Sequence, residues 1–187
     1  MLLQLLLARL LTQRVFRRLS SLKVSGKATV FGDDVNTDAI IPGKYLTLLD
    51  PAEMAKHAME GLNPNFSEKA KNGVIIVARK NFGCGSSREQ APLALKYAGV
   101  KCILAESFAR IFFRNAINIG LPVLESPNVS KEVEEGDVLA VSLEEGRIVN
   151  ETRNRTIKAT KLPEFILKIL QDGGLIAHLK KKGGKNP

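Results

Sequence analysis

The residues best equipped for chemistry lie together in Asn81 to Glu89, Asn-Phe-Gly-Cys-Gly-Ser-Ser-Arg-Glu. Two adjacent hydroxyls, a guanidinium and a carboxylate follow two glycines, so hydrogen-bonding groups sit on a backbone free to turn sharply. Ser86 to Glu89 has the spacing of a capping box, with Ser86 at the N-cap and Glu89 reaching back to it. Capping alone explains the serine and the glutamate. It leaves the glycines and Arg88 without a role.

Two ligand chemistries fit those leftovers. In the first, Gly83-Cys84-Gly85 and Glu106, at the end of a later strand, resemble a dinucleotide turn with its ribose acid, but Arg88 stands where the third glycine is needed. In the second, the unpaired N–H groups of a helix N-terminus and the Arg88 fork receive a carboxylate. A serine in such a field could serve as a general base. An isolated hydroxyl could not do so near neutral pH, so the surrounding donors are part of the mechanism.

The elements that must position this turn form a βαβα unit. The apolar run Val74 to Ala78 predicts a buried strand, Gln90 to Ala98 or, with the capping box, Arg88 to Tyr97 a helix, Cys102 to Ala105 a strand and Ser107 to Ile117 a helix, with a short strand after Gly120. Strands and helices alternating in this way predict a parallel sheet with right-handed crossovers, whose functional residues gather beyond the carboxyl ends of the strands. Upstream, Lys27 to Phe31 predicts a strand running into an acidic loop with Asp33, Asp34 and Asp38, which lacks the Gly and Glu of a calcium loop. Pro51 to Gly61 predicts a short helix, on which His57 reads as a surface residue. Downstream, Asp137 to Ser142 and Arg147 to Glu151 predict a hairpin, Thr156 to Ala159 a further strand and Pro163 to Gln171 an amphipathic helix stopped by Gly173-Gly174.

The net charge of +9 suggests nucleic acid only until it is mapped. Nine cations at the two ends account for all of it, leaving 19 basic and 19 acidic residues between. The neutral body argues against a nucleic-acid partner. Residues 1–22 read as an N-terminal extension, rich in Leu and Arg and free of acid as presequences are, residues 23–178 as one domain and residues 179–187 as a basic, solvated tail. Arg9 breaks the leading apolar run, so no membrane span is expected. Cys84 and Cys102 with His57 and His178 are too few and too scattered for a metal site within the chain, and two thiols suit a reducing compartment. The cytoplasm is the expected location, or an organelle matrix (plastid or mitochondrion) if the leading residues are a presequence. Arg110 and Arg114, at i and i+4 on one helix, face a partner, a substrate or solvent.

Asn81 to Glu89, together with GDDVNTDAIIPGKYL upstream and AESFARIFFRNAINIGLPVL downstream, closely resembles the family of 3-isopropylmalate dehydratase small subunits, swivel-domain relatives of aconitase. The resemblance runs from about Lys23 to about residue 170. It implies an α/β fold of the swivelling β/β/α type, with a parallel βαβα core and a β-hairpin region. It also implies a hydro-lyase active only with a large subunit, in a heterodimer or heterotetramer, where that partner carries a 4Fe-4S cluster and this chain alone binds no cofactor. By the same resemblance Ser86 is the catalytic base, Asp38 supports the active-site polar network, and Ser87 and Arg88 hold a carboxylate of a small dicarboxylate substrate. The loop after Tyr45-Leu46 selects the substrate's side group through Thr47 and Leu48. No cation stands at Thr47, so isopropyl suits it better than a further carboxylate, and methyl-substituted malates and homoaconitase-type substrates are the alternatives. Leu46 and Leu48 are equally read as packing beneath the loop.

Overall fold

The structure, a computed structural model, describes residues 22–183. The extension over 1–22 thus falls outside it except for Leu22, as do the last four residues of the tail. A single seven-stranded sheet organises the chain in the order β4-β3-β2-β1-β5-β6-β7. Its strands are β1 (Lys23–Val30), β2 (Val74–Ala78), β3 (Val100–Ala105), β4 (Val123–Glu125), β5 (Val138–Ser142), β6 (Arg147–Asn150) and β7 (Arg155–Lys158). Among the described residues eight α-helices accompany it, with a 3-10 turn over Gly43–Tyr45: α1 (Thr37–Ile40), α2 (Pro51–Ala55), α3 (Phe66–Ala70), α4 (Gln90–Ala98), α5 (Arg110–Asn118), α6 (Val129–Glu132), α7 (Glu164–Gln171) and α8 (Leu175–Gly183).

β1 belongs to both halves of the sheet. Its end pairs parallel with β2, Lys27 with Val74 through Val30 with Val77, and its start pairs antiparallel with β5, Lys23 with Ser142 through Lys27 with Val138. The parallel half follows from the β2-α4-β3 and β3-α5-β4 crossovers, and every residue of β2 is buried, as expected for a strand covered on both faces. The antiparallel half alternates, with Leu139 and Val141 of β5 and Ile148 of β6 buried. The anticipated hairpin closes with Ser142 opposite Arg147, and β7 extends it into a meander.

Several boundaries move for physical reasons. α4 begins at Gln90 because Pro92, which has no N–H to give, is tolerated in a first turn and would break the bonding of a helix begun at Arg88. The helix expected over Pro51 to Gly61 stops at Ala55, and the chain then turns until Met59, at φ 58°, donates its N–H to the Ile40 carbonyl at 2.8 Å. Leu179 to Gly183, expected as tail, continue α8 and remain exposed, with Lys181 and His178 both bonded to Asp172.

A buried polar knot pins the start of the antiparallel half. Asp137 Oδ2 accepts from the Glu134 N–H at 2.9 Å, Asn150 Nδ2 at 2.7 Å and Arg153 Nε at 2.9 Å, while the fully buried Asn150 also donates to the Glu132 carbonyl at 3.0 Å. Burial by itself would raise the Asp137 pKa, but these donors outweigh it and hold the carboxyl below its ordinary range. Asp137→Asn should therefore cost about 1–3 kcal/mol at neutral pH in urea unfolding. Because the folded pKa is depressed, this increment is complete above the ordinary Asp pKa and fades as pH falls through the folded value. The two proteins' stabilities should converge only once the pH has fallen below that depressed folded value.

Candidate active site

The loops that follow β1 and β2 continue side by side past the end of the sheet. The Phe31 N–H donates to the Val77 carbonyl at 2.8 Å, Gly83 to Val35 at 2.7 Å and Thr37 to Cys84 at 2.9 Å, which places Asn36 beside Cys84 in a parallel bridge. The acidic loop braces this pairing: Asp33 Oδ1 accepts from the Lys80 N–H at 3.1 Å and Asp34 Oδ1 from Asn81 Nδ2 at 2.8 Å. Asn36 caps α1, its side chain accepting from the Ala39 N–H at 2.8 Å, so the next residues, Thr37 and Asp38, are directed at the turn. Thr37 Oγ1 donates to the Ser86 carbonyl at 3.1 Å. Arg88 Nη1 meets Asp38 Oδ1 at 2.5 Å and the Ile41 carbonyl at 3.3 Å.

Beside these ties is a cleft of about 290 Å³, lined by Ser86, Ser87 and Arg88 of the turn and by Arg110, Ile111 and Asn115 of α5. That volume suits a small molecule of a few carbons. Its base is aromatic. Phe82 and Phe112 meet edge to face at 5.3 Å, and the Phe112 ring occupies the space a Gly83 side chain would need. Ser86 and Ser87 are exposed, whereas the Arg88 side chain is only 17% exposed.

The capping box is not formed. Glu89, not Ser86, is the N-cap of α4, without a side-chain cap, and the Ser86 carbonyl is already engaged by Thr37. The helix end that lines the cleft is that of α5. Its N-cap is Ala109, which offers no side-chain acceptor, and its first turn carries no acid. The dinucleotide alternative loses its geometry as well: α4 starts five residues after Gly85, and Glu106 accepts a hydrogen bond from Ser130.

Of the residues singled out in the sequence, Ser86, Ser87 and Arg88 line the cleft and Asp38 stands behind it, holding Arg88. Thr47 and Leu48 do not line it. They belong to the next loop, whose first turn approaches Asp38, since a side chain on Gly43 would come 3.8 Å from Asp38 Oδ1. Thr47 is exposed, and Leu46 and Leu48 pack on the core. His57 does more than decorate the surface. It stacks on Tyr45 at 3.7 Å and bonds through Nδ1 to Glu60 at 2.9 Å, with Lys44 at 3.4 Å from the same carboxylate. Burial would raise the Glu60 pKa, yet bonds from His57, Tyr45 and Lys44 bring it below the ordinary value, so an ionised Glu60 anchors this loop.

Cys84 adjoins the turn but remains a thiol, its pKa raised chiefly by burial and further by the Asp34 charge. Burial pushes Cys102 up to about 12. Among the described residues no group of three or more His, Cys, Asp or Glu is placed to hold a metal ion. Of the readings left open for Arg110 and Arg114, the cleft takes up Arg110 alone, and Thr37 is a cleft residue that its sequence context did not single out. The Asn-Thr-Asp cap signal preceding Ala39 was the available clue to Thr37.

Fold and site together define a swivel domain of the aconitase C-terminal type, and the family model described as the aconitase C-terminal domain matches residues 61–129. The chain is 53% identical over 160 residues to a 3-isopropylmalate dehydratase small subunit of Methanopyrus kandleri, covering 86% of this chain and 94% of that protein. It is 55% identical over 159 residues to an isopropylmalate/citramalate isomerase small subunit of Methanocaldococcus jannaschii, covering 85% and 95%. A crystal structure of 3-isopropylmalate dehydratase from the latter organism superposes with a TM-score of 0.82 at 49% identity, covering 87% of this chain and 96% of that one. The chain belongs to the family of 3-isopropylmalate dehydratase small subunits.

The packing at Gly83 makes a sharp prediction. Gly83→Ala places a side-chain carbon 2.1 Å from Phe112 at a backbone φ of 79° and should cost roughly 2–4 kcal/mol. Gly85→Ala, also left-handed at φ 93° but with no neighbour nearer than 3.4 Å, should cost only about 1–2 kcal/mol. Chemical unfolding of the two variants side by side checks the order.

Proposed function

We propose that this chain is the small subunit of a hydro-lyase that interconverts 2-isopropylmalate and 3-isopropylmalate by removing water and returning the hydroxyl to the neighbouring carbon, as in leucine biosynthesis. The observation that carries this reading is the convergence of Ser86, Ser87 and Arg88 on one cleft, with Arg88 held in place by Asp38. The activity for which its relatives are named agrees with it.

In this mechanism Ser86 Oγ takes the proton from the carbon next to a substrate carboxylate. Ser87 and Arg88 hold that carboxylate, so the charge that develops on it forms against fixed donors. Asp38 acts through Arg88. By engaging Nη1 it fixes the plane of the guanidinium and leaves the remaining N–H groups for substrate.

The described residues do not fit a 4Fe-4S cluster, since neither protonated thiol has companion ligands. The cluster is assigned to the large subunit, where, when present, its iron would supply the Lewis acid that takes the leaving hydroxyl. A second argument for that partner is exposure: Ser86 and Ser87 are open to water here, and an alkoxide base requires a setting from which water is excluded. Active enzyme is accordingly a heteromer, and its subunit numbers follow from the partner. Among the described residues no helix is long and apolar enough to cross a membrane. The cytoplasm is the proposed location, or an organelle matrix if residues 1–22 are a presequence.

Substrate choice is assigned to the loop containing Thr47 and Leu48, and the isopropylmalate/citramalate name of one relative favours a second, methyl-bearing substrate over a tricarboxylate. In the assembled enzyme Ser86→Ala should lower kcat by about 10²–10⁴ with assembly unchanged. Near-normal turnover would remove Ser86 from the mechanism. Thr47→Arg should move the kcat/KM ratio towards a substrate with an additional carboxylate, whereas an unchanged ratio would show that this loop does not read the side group.

A further inference from the structure

We propose that Arg110 binds the second carboxylate of the hydroxy-dicarboxylate substrate, in the same cleft as the carboxylate held by Ser87 and Arg88. This deepens the preceding reading and rests on it. The two arginines of the cleft differ in how far their charge is already committed. Arg88 is largely buried and bonded to Asp38 at 2.5 Å and to the Ile41 carbonyl at 3.3 Å, so that pair contributes little net charge. Arg110 is exposed, lines the same cleft from α5, and has no ion pair or side-chain hydrogen bond among the described residues. Arg79, at the same end of the sheet, shows the contrast, since it pairs with Asp33 at 3.3 Å.

Folding alone supplies no reason for a cation at Arg110. It is the first residue of α5, where the helix dipole disfavours positive charge, and neither an acid in the first turn nor a capping side chain offsets it. A carboxylate in the cleft would relieve that position. Substrate chemistry asks for the same thing. The proposed substrate carries two carboxylates on a short chain, and a site holding only the Arg88–Asp38 pair would neutralise neither fully. Arg110 supplies the missing charge from α5, in the same cleft of about 290 Å³ that Ser86, Ser87 and Arg88 line. Its neighbour on the helix, Arg114, is also exposed but does not line the cleft, which makes it an internal control.

The test is steady-state kinetics of the assembled enzyme at saturating large subunit, with Arg110→Gln, Arg110→Lys and Arg114→Gln, alongside the affinity of each variant for the large subunit. Loss of a charged hydrogen bond to substrate should raise KM about tenfold to a hundredfold in Arg110→Gln, with a much smaller change in kcat. Lysine should restore part of the loss, and Arg114→Gln should behave as wild type. A KM within twofold of wild type in Arg110→Gln overturns the proposal. So does a variant whose only defect is weaker assembly, because Arg110 would then be a docking residue. If the wild-type assembly turns over neither 2-isopropylmalate nor a methyl-substituted malate, the functional reading itself falls and this inference with it.

Discussion

The site depends on one set of cross-ties, the hydrogen bonds that join the loop after β1 to the loop after β2. Ser86 lies in irregular backbone, four residues before the first helical residue of α4, so no helix fixes its position. What fixes it is the adjacent chain. Gly83 donates to Val35, Thr37 donates through its backbone to Cys84 and through its hydroxyl to Ser86, and Asp38 takes Arg88. Each such bond contributes only about 1 kcal/mol net, but together they remove the freedom of a glycine-bearing loop whose ordering would otherwise oppose catalysis. The left-handed glycines are what let the backbone pass close enough to accept those bonds, Gly83 above all, because the Phe112 ring fills its missing side chain.

The sheet sets the ties up. β1 and β2 are neighbouring parallel strands, so their exits emerge side by side, and the register that pairs Val30 with Val77 continues into the loops. The antiparallel half contributes no cleft residue. It completes the burial of β1 and is anchored by the Asp137 knot. This division explains how a modest domain can carry part of an active site. The turn is held by fixed cross-ties while its serines remain open, and in the function proposed above the complementary surface is the large subunit's. The same arrangement leaves Arg110 as a cation at a helix end within the cleft, the position from which its proposed contact with substrate follows.

Much of the architecture was legible in the residues. Uninterrupted apolar runs marked β2 and β3, the turn Leu143-Glu144-Glu145-Gly146 marked the hairpin of β5 and β6, and the glycine pair after Asp172 marked the end of α7. Less legible were features governed by a single competing residue. Pro92 moved the start of α4 past Arg88 and dissolved the capping box, and Met59 in the left-handed region cut short the helix that starts at Pro51. α8 was missed because a lysine-rich stretch after two glycines carries little apolar signal, although Asp172 holds it through His178 and Lys181.

What the sequence by itself determined was the chemistry and the local periods: two hydroxyls and an arginine after a glycine turn, at the carboxyl end of a buried strand. These are properties of neighbouring residues, and side-chain type and spacing encode them directly. Only the tertiary structure decided that Arg88 is held by Asp38 fifty residues away, and that the helix end beside Ser86 belongs to α5 rather than to α4. Such pairings follow from strand order and register across the whole sheet, a long-range outcome of burial and backbone bonding that no short stretch of sequence carries.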